Sequence, residues 1–178
     1  MSMYPIASYT VTNANTVGFN FTSIPQNFTH LQLRCFGRTT NASIGAYAYI
    51  YYNLDFSSNY AQHYLQGDGA SATSSGAANQ IGNSLITPPG ASANSNVFNN
   101  VIVDILDYTS TNKNKVIKQI GGFDNNGSGY VQLYSGLYFA TPGAINQMQI
   151  STGNGSVYWA VGSTFQLYGI TTSSVTGA

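Results

Sequence analysis

Tyr130-Val131-Gln132-Leu133-Tyr134-Ser135-Gly136-Leu137-Tyr138-Phe139 is the stretch whose reading decides the fold. Successive side chains of a strand point to opposite faces, so a period of two separates this segment into two sets. Val131, Leu133, Leu137 and Phe139 share one face, and Tyr130, Gln132, Tyr134 and Tyr138 share the other. The aliphatic set is the expected core face. The tyrosine set is then the expected contact surface, because tyrosine offers a large apolar ring with a polar tip.

The same period recurs outward from this segment. Val17, Phe19 and Phe21 alternate, as do Leu31, Leu33 and Cys35 against His30, Gln32 and Arg34. Tyr47, Tyr49 and Tyr51 fall on one side of a further strand, with Ala48, Ile50 and Tyr52 on the other. Either set can line a core, so this trio reads equally as contact surface and as interior. Val101 to Leu106 is apolar on both faces apart from Asp104, which suits a central strand. Ser8–Thr12, Lys115–Ile120, Ile145–Ile150 (with a bulge), Val157–Val161 and Ser163–Ile170 complete the set. No segment carries an apolar stripe at helical spacing with caps. About eight to ten short strands between Gly, Pro, Asn and Ser punctuation predict an all-β, antiparallel β-sandwich, jelly-roll-like, as one domain over 1–178. The Gly/Ser/Ala-rich segment 67–90 is expected to be a long irregular loop, held by neighbouring subunits or folded back on its own domain.

Composition narrows the function. Charged residues are 6 % of the 178, with five bases, five aspartates and no glutamate, against roughly 25 % in an ordinary domain. Aromatics are 13 %, with fourteen tyrosines, which argues for a folded chain rather than a disordered polar one. A neutral surface rich in Ser, Thr, Asn and Gln offers little repulsion between copies, and this suits a protein packed against neighbours. Nucleic acid is not an expected partner, because the net charge is zero and counterion release needs a basic patch. Lys113, Lys115 and Lys118 read as a solvated turn. A membrane partner and a secretory signal are not expected either: no apolar run approaches ~18 residues, and Met1–Thr10 lacks a charged start followed by an apolar stretch.

No catalytic, cofactor-binding or metal-binding constellation emerges, and no enzyme is expected. Cys35 is the single cysteine and alternates with Leu31 and Leu33, so it reads as core. Asp55, His63 and Asp68 read as a polar cluster that organises a loop rather than as metal ligands. Asp124-Asn125-Asn126-Gly127-Ser128-Gly129 opens like a calcium loop, but Ser135 stands where a bidentate glutamate is needed, so it reads as a turn. Asp104 and Asp107 are three apart, which does not turn both carboxyls towards one scissile bond. No G-x-S-x-G elbow, P-loop or dinucleotide fingerprint is present.

Several blocks bear a likeness. Ile24-Pro25-Gln26-Asn27-Phe28-Thr29-His30-Leu31-Gln32-Leu33, then Asn53, Asp55, Asn59-Tyr60, His63 and Gly67-Asp68-Gly69, Ile105-Leu106-Asp107-Tyr108, Ser135-Gly136-Leu137-Tyr138 and Ser163–Ile170 are the residues concerned. Through these the chain resembles a family of short structural proteins from tailed bacteriophages of aquatic bacteria, including cyanophages. The resemblance implies a β-sandwich virion subunit that works by assembling, as a homotrimer. Two placements follow: a cement protein that decorates the outer capsid surface and binds the major capsid protein, or a tail fibre or receptor-binding tip that recognises host surface glycans. A first strand near the start, with no shaft repeat, favours the capsid.

Overall fold

Alternating residues become strands here because one face of each finds a second sheet to cover it. The computed structural model describes residues 2–140 and 143–172, and within them twelve strands form. They are β1 (Ser2–Thr10), β2 (Gly18–Phe21), β3 (His30–Phe36), β4 (Tyr49–Tyr52), β5 (Tyr60–Gly67), β6 (Ala72–Gln80), β7 (Asn83–Ser84), β8 (Asn100–Ile105), β9 (Lys115–Asp124), β10 (Gly129–Tyr138), β11 (Met148–Ser151) and β12 (Thr164–Thr171). Eight make one sheet in the order β1-β12-β3-β8-β9-β10-β5-β6, and four make a second in the order β2-β11-β4-β7. Every strand pairing is antiparallel. The expected all-β antiparallel class is observed. Neither sheet is closed or strongly curled, so the two layers are not a closed jelly-roll barrel.

The core lies between the layers. Leu31, Leu33 and Cys35 of β3, Val101, Val103 and Ile105 of β8, and Phe165 and Leu167 of β12 face Phe19, Phe21, Ile50, Tyr52, Met148 and Ile150 of the smaller sheet. Trp159 is fully buried and packs edge-on against Phe165 at 4.9 Å between ring centres. Its segment is not a strand, contrary to the reading of Val157–Val161: it makes an isolated bridge to Thr39 and otherwise serves as a plug. Burial pushes the Cys35 thiol far above its ordinary range, which keeps it protonated and inert.

Two expectations are corrected. The segment 67–90 is not a long irregular loop, since β6 and β7 lie within it. β6 has the sequence Ala-Thr-Ser-Ser-Gly-Ala-Ala-Asn-Gln and is exposed along nearly its whole length; only its backbone ladder to β5 and the small size of its side chains hold it. The second correction concerns the tyrosines. Tyr134 and Tyr138 of β10 are buried in the core, whereas Val131, on the face assigned to the interior, is 73 % exposed. The faces of β10 are therefore the reverse of those expected.

The reason is β5. Tyr60-x-Gln62-x-Tyr64-x-Gln66 repeats the Tyr/Gln alternation of β10, and the register sets Tyr60 opposite Tyr138, Tyr64 opposite Tyr134 and Gln66 opposite Gln132. Tyr60 and Tyr138 stack at 4.9 Å, and Tyr64 and Tyr134 at 5.1 Å. Such rings bury more area than Val or Leu, so this face wins the interior. The Tyr60 hydroxyl donates to the Asp55 carbonyl (2.7 Å) and accepts from the Tyr52 N–H (3.1 Å). Burial pushes the Tyr138 and Tyr134 hydroxyls up to about 12, so both stay protonated.

At this end of the sandwich the layers are joined by amides. Gln62 Oε1 accepts from the Ser84 N–H (3.0 Å), and Gln119 Oε1 from the Ile86 N–H (3.1 Å). Gln119 Nε2 donates to the Ser84 carbonyl (2.7 Å), and Gln132 Oε1 accepts from the Thr87 N–H (2.8 Å). Three glutamines of the larger sheet thus supply the hydrogen bonds that the 84–87 backbone needs when it is buried.

Candidate functional site

With the tyrosines inside, the aliphatic residues of β9, β10 and β5 are left on the outer face of the larger sheet. The register lines up Ile102, Ile120, Leu133 and Leu65 as one cross-strand row over β8, β9, β10 and β5. Ile120 is 54 % exposed, Leu65 52 % and Leu133 41 %. Val131, Val116 and Leu106 extend the apolar surface beyond this row, and Leu137 stands opposite Val116. At about 4.8 Å per strand and 3.4 Å per residue, the row and the length of β10 from Val131 to Leu137 outline roughly 300 Å². A standard protein interface covers about 800 Å² per partner, with an apolar centre and a polar rim.

The rim is present. Gln32, Asp104, Lys118, Ser135 and His63 form the next row across the sheet, with Gln32 Nε2 donating to Asp104 Oδ1 (2.9 Å) and Lys118 opposite Asp104. The His63 ring lies across β6 on Gly76, where an added Cβ would come within 2.6 Å of the imidazole. Across this polar row the surface dips into a shallow groove of about 790 Å³, lined by Leu65 and Leu133 on one side of the row and by Leu106 and Val116 on the other. Ser135 stands opposite His63 in this row, with no hydrogen bond between them among the described residues. What the arrangement offers is an apolar area to bury, with a row of polar and charged groups across it to set orientation.

The expected site residues distribute as follows. Tyr47 is 79 % exposed and precedes β4, Tyr49 is half-buried, and Tyr51 is buried beneath Phe56 at 4.9 Å between ring centres. The core side of that strand is the Ala48, Ile50 and Tyr52 set. Tyr130 is half-buried at the end of the sandwich, and Tyr134 and Tyr138 are interior, so these three do not form one exposed surface. Asp55, His63 and Asp68 do not converge either, because Asp55 precedes β5, Asp68 follows it, and His63 sits on its outer face. Asp55 ties its own loop through the Ser57 N–H and Asn59 Nδ2 (both 2.8 Å), and Asp68 ties the β5–β6 turn through the Ala70 and Ser71 N–H groups. The three lysines are not one solvated turn: Lys115 is buried and donates to the Ser110 and Lys113 carbonyls, while Lys113 pairs with Asp107 at 2.8 Å. Asp124–Gly129 is the β9–β10 turn, with the Gly127 N–H on Asp124 Oδ1 (3.0 Å).

Burial alone raises the Asp55 carboxyl, but the hydrogen bonds from Asn59 and Ser57 outweigh it and hold the group below its ordinary range. The Lys113 ammonium does the same for Asp107. A carboxyl depressed by folding contributes stability above its unfolded pKa and loses it as pH falls through the folded value. The thermal midpoint is therefore expected to hold from neutrality down to about pH 4 and to fall modestly below it, as read by circular dichroism across that range.

No family model matches the chain. No curated protein and no solved structure matches it either. Among the described residues no group of His, Cys, Asp or Glu is placed to hold a metal ion, and no helix is long and apolar enough to cross a membrane.

Proposed function

We propose that this chain is a non-catalytic structural subunit of a tailed-bacteriophage particle, a cement protein that decorates the outer capsid surface and stabilises it by self-association as a homotrimer and by binding the major capsid protein. The observation that carries the reading is the apolar row Ile102–Ile120–Leu133–Leu65 on the exposed side of the larger sheet. Exposed large apolar residues gathered at one place mark contact surfaces, whereas scattered ones do not. Covering this face contributes about 25 cal/mol per Å² of apolar area, less the cost of ordering the partners.

Two further features support the same reading. β6 is a nine-residue edge strand with no proline and no charge, the devices that ordinarily keep a sheet edge from pairing with a neighbour. The opposite edge, β1, carries Pro5 and a break in register between Pro5 and Ala7. One edge is thus guarded and the other open, as suits an assembly with a defined direction. The resemblance of the blocks from Ile24 onward to short phage structural proteins is in keeping with this reading. The test uses particles with and without the protein: those lacking it are expected to release genome at a lower temperature, and unchanged heat resistance would remove the cementing role.

A further inference from the structure

The face reversal on β10 leaves a second feature, independent of the docking surface and on the other side of the same strands. Where the chain segments at 43–47 and 84–87 lie over β5 and β10, they leave a cleft of about 440 Å³. We propose that this cleft binds a neutral carbohydrate, taking the end of a short oligosaccharide between Tyr47, Tyr64, Tyr130 and Tyr134 with Gln62 and Gln66 as hydrogen-bonding partners.

Three observations converge on that class of ligand. The walls are aromatic: Tyr64 and Tyr134 stack at 5.1 Å with 18° between planes, and Tyr47 stands largely exposed at the margin. A sugar ring presents a flat C–H face that packs on such rings. The cleft has polar groups to spare. The hydroxyls of all four tyrosines, Gln62 Nε2 and Gln66 Nε2 make no hydrogen bond among the described residues. The two amides are nonetheless fixed at their other ends, Gln62 Oε1 by the Ser84 N–H and Gln66 Oε1 by Gln132 Nε2 at 2.5 Å. Anchored amides with one end free are preorganised partners for a ring of hydroxyls. Finally, no charged residue lines the cleft.

The last point counts against a charged ligand. A phosphate-bearing ligand needs cations that are not there. A purely apolar ligand would cover these amide and phenol groups without satisfying them. A neutral, hydroxyl-rich ring satisfies both the stacking and the polar groups. The shape is also built in: a Cβ on Gly45 would meet Thr87 Cγ2 at 2.6 Å and the Tyr130 ring at 3.0 Å, so glycine lets that ring seat against the 43–47 segment. The volume falls within the range of ligand pockets, about 300–1,000 Å³.

The test is calorimetric titration of the full chain with maltotriose, mannotriose and the trimer of N-acetylglucosamine, beside sialyllactose as an anionic probe and a neutral Ser/Asn peptide. Saturable binding of at least one neutral sugar is expected, with affinity lowered about tenfold in Tyr47→Ala and in Gln66→Ala and unchanged in Val131→Ala on the outer face. Tyr47 is exposed, so its removal tests the cleft without touching the core. No saturable binding of any neutral sugar, tighter binding of the anionic sugar or the peptide, or binding that both cleft variants leave undiminished would each overturn the assignment. None of these results depends on whether the protein attaches to a capsid.

Discussion

A chain carrying Ile120→Lys and Leu133→Lys is expected to fold as the parent does and to lose at least about a hundredfold in affinity for the particle surface, close to 3 kcal/mol. Both side chains stand on the outer face of the larger sheet, and both are more than two-fifths exposed. A lysine there lays its aliphatic stem along the sheet and keeps its ammonium in water, so the folded monomer barely registers the change. The complex cannot accommodate it in the same way. Seating a partner on the row would strip water from two ammonium groups beside Lys118, while the acid of the neighbouring row, Asp104, already accepts from Gln32 and faces Lys118. Each unpaired buried charge costs several kcal/mol. Co-sedimentation with capsids that lack the protein measures the affinity, and a thermal melt confirms the fold. Full attachment by a normally folded double variant would show that this face is not the contact.

Gln119→Leu is expected to destabilise the fold by about 2–5 kcal/mol, although it replaces a polar residue in the interior with an apolar one of similar size. Gln119 is 1 % exposed. Its two amide atoms serve the Ile86 N–H and the Ser84 carbonyl, and leucine serves neither. Each stranded backbone group costs about 1–3 kcal/mol, while the added apolar contact returns only part of that. For a chain of this length the melting temperature is expected to drop by roughly 5–15 °C. If the end of the sandwich were held by apolar packing, the leucine variant would melt at or above the parent temperature, and the glutamine seam would carry no weight. Thermal unfolding followed by circular dichroism separates the two outcomes.

The existence of most strands was legible in the residues. Leu31, Leu33 and Cys35 alternate in the sequence and are interior in β3, and Phe165 and Leu167 bracket Gln166 as β12 requires. Two kinds of information were not legible. β6 has no apolar alternation because neither of its faces is covered, so no side-chain period marks it; its order comes from the ladder to β5. β5 does carry a signal, since Tyr60, Gln62, Tyr64 and Gln66 mirror the Tyr/Gln spacing of β10, but the match acquires meaning only when the strands pair antiparallel. The candidate site depends on the same fact. Its aliphatic residues can be picked out from the sequence, but their exposure cannot.

The sequence alone determined that the chain is built from antiparallel strands, that Cys35 is interior, and that the side chains of β10 fall into an aliphatic set and a tyrosine–glutamine set. Only the tertiary structure decided which set faces water. Alternation is a property of one strand and is unchanged when that strand is turned over. The choice between its faces comes from what lies across from them: here Tyr60 and Tyr64 on the neighbouring strand, and the 84–87 backbone whose amide groups need the glutamines.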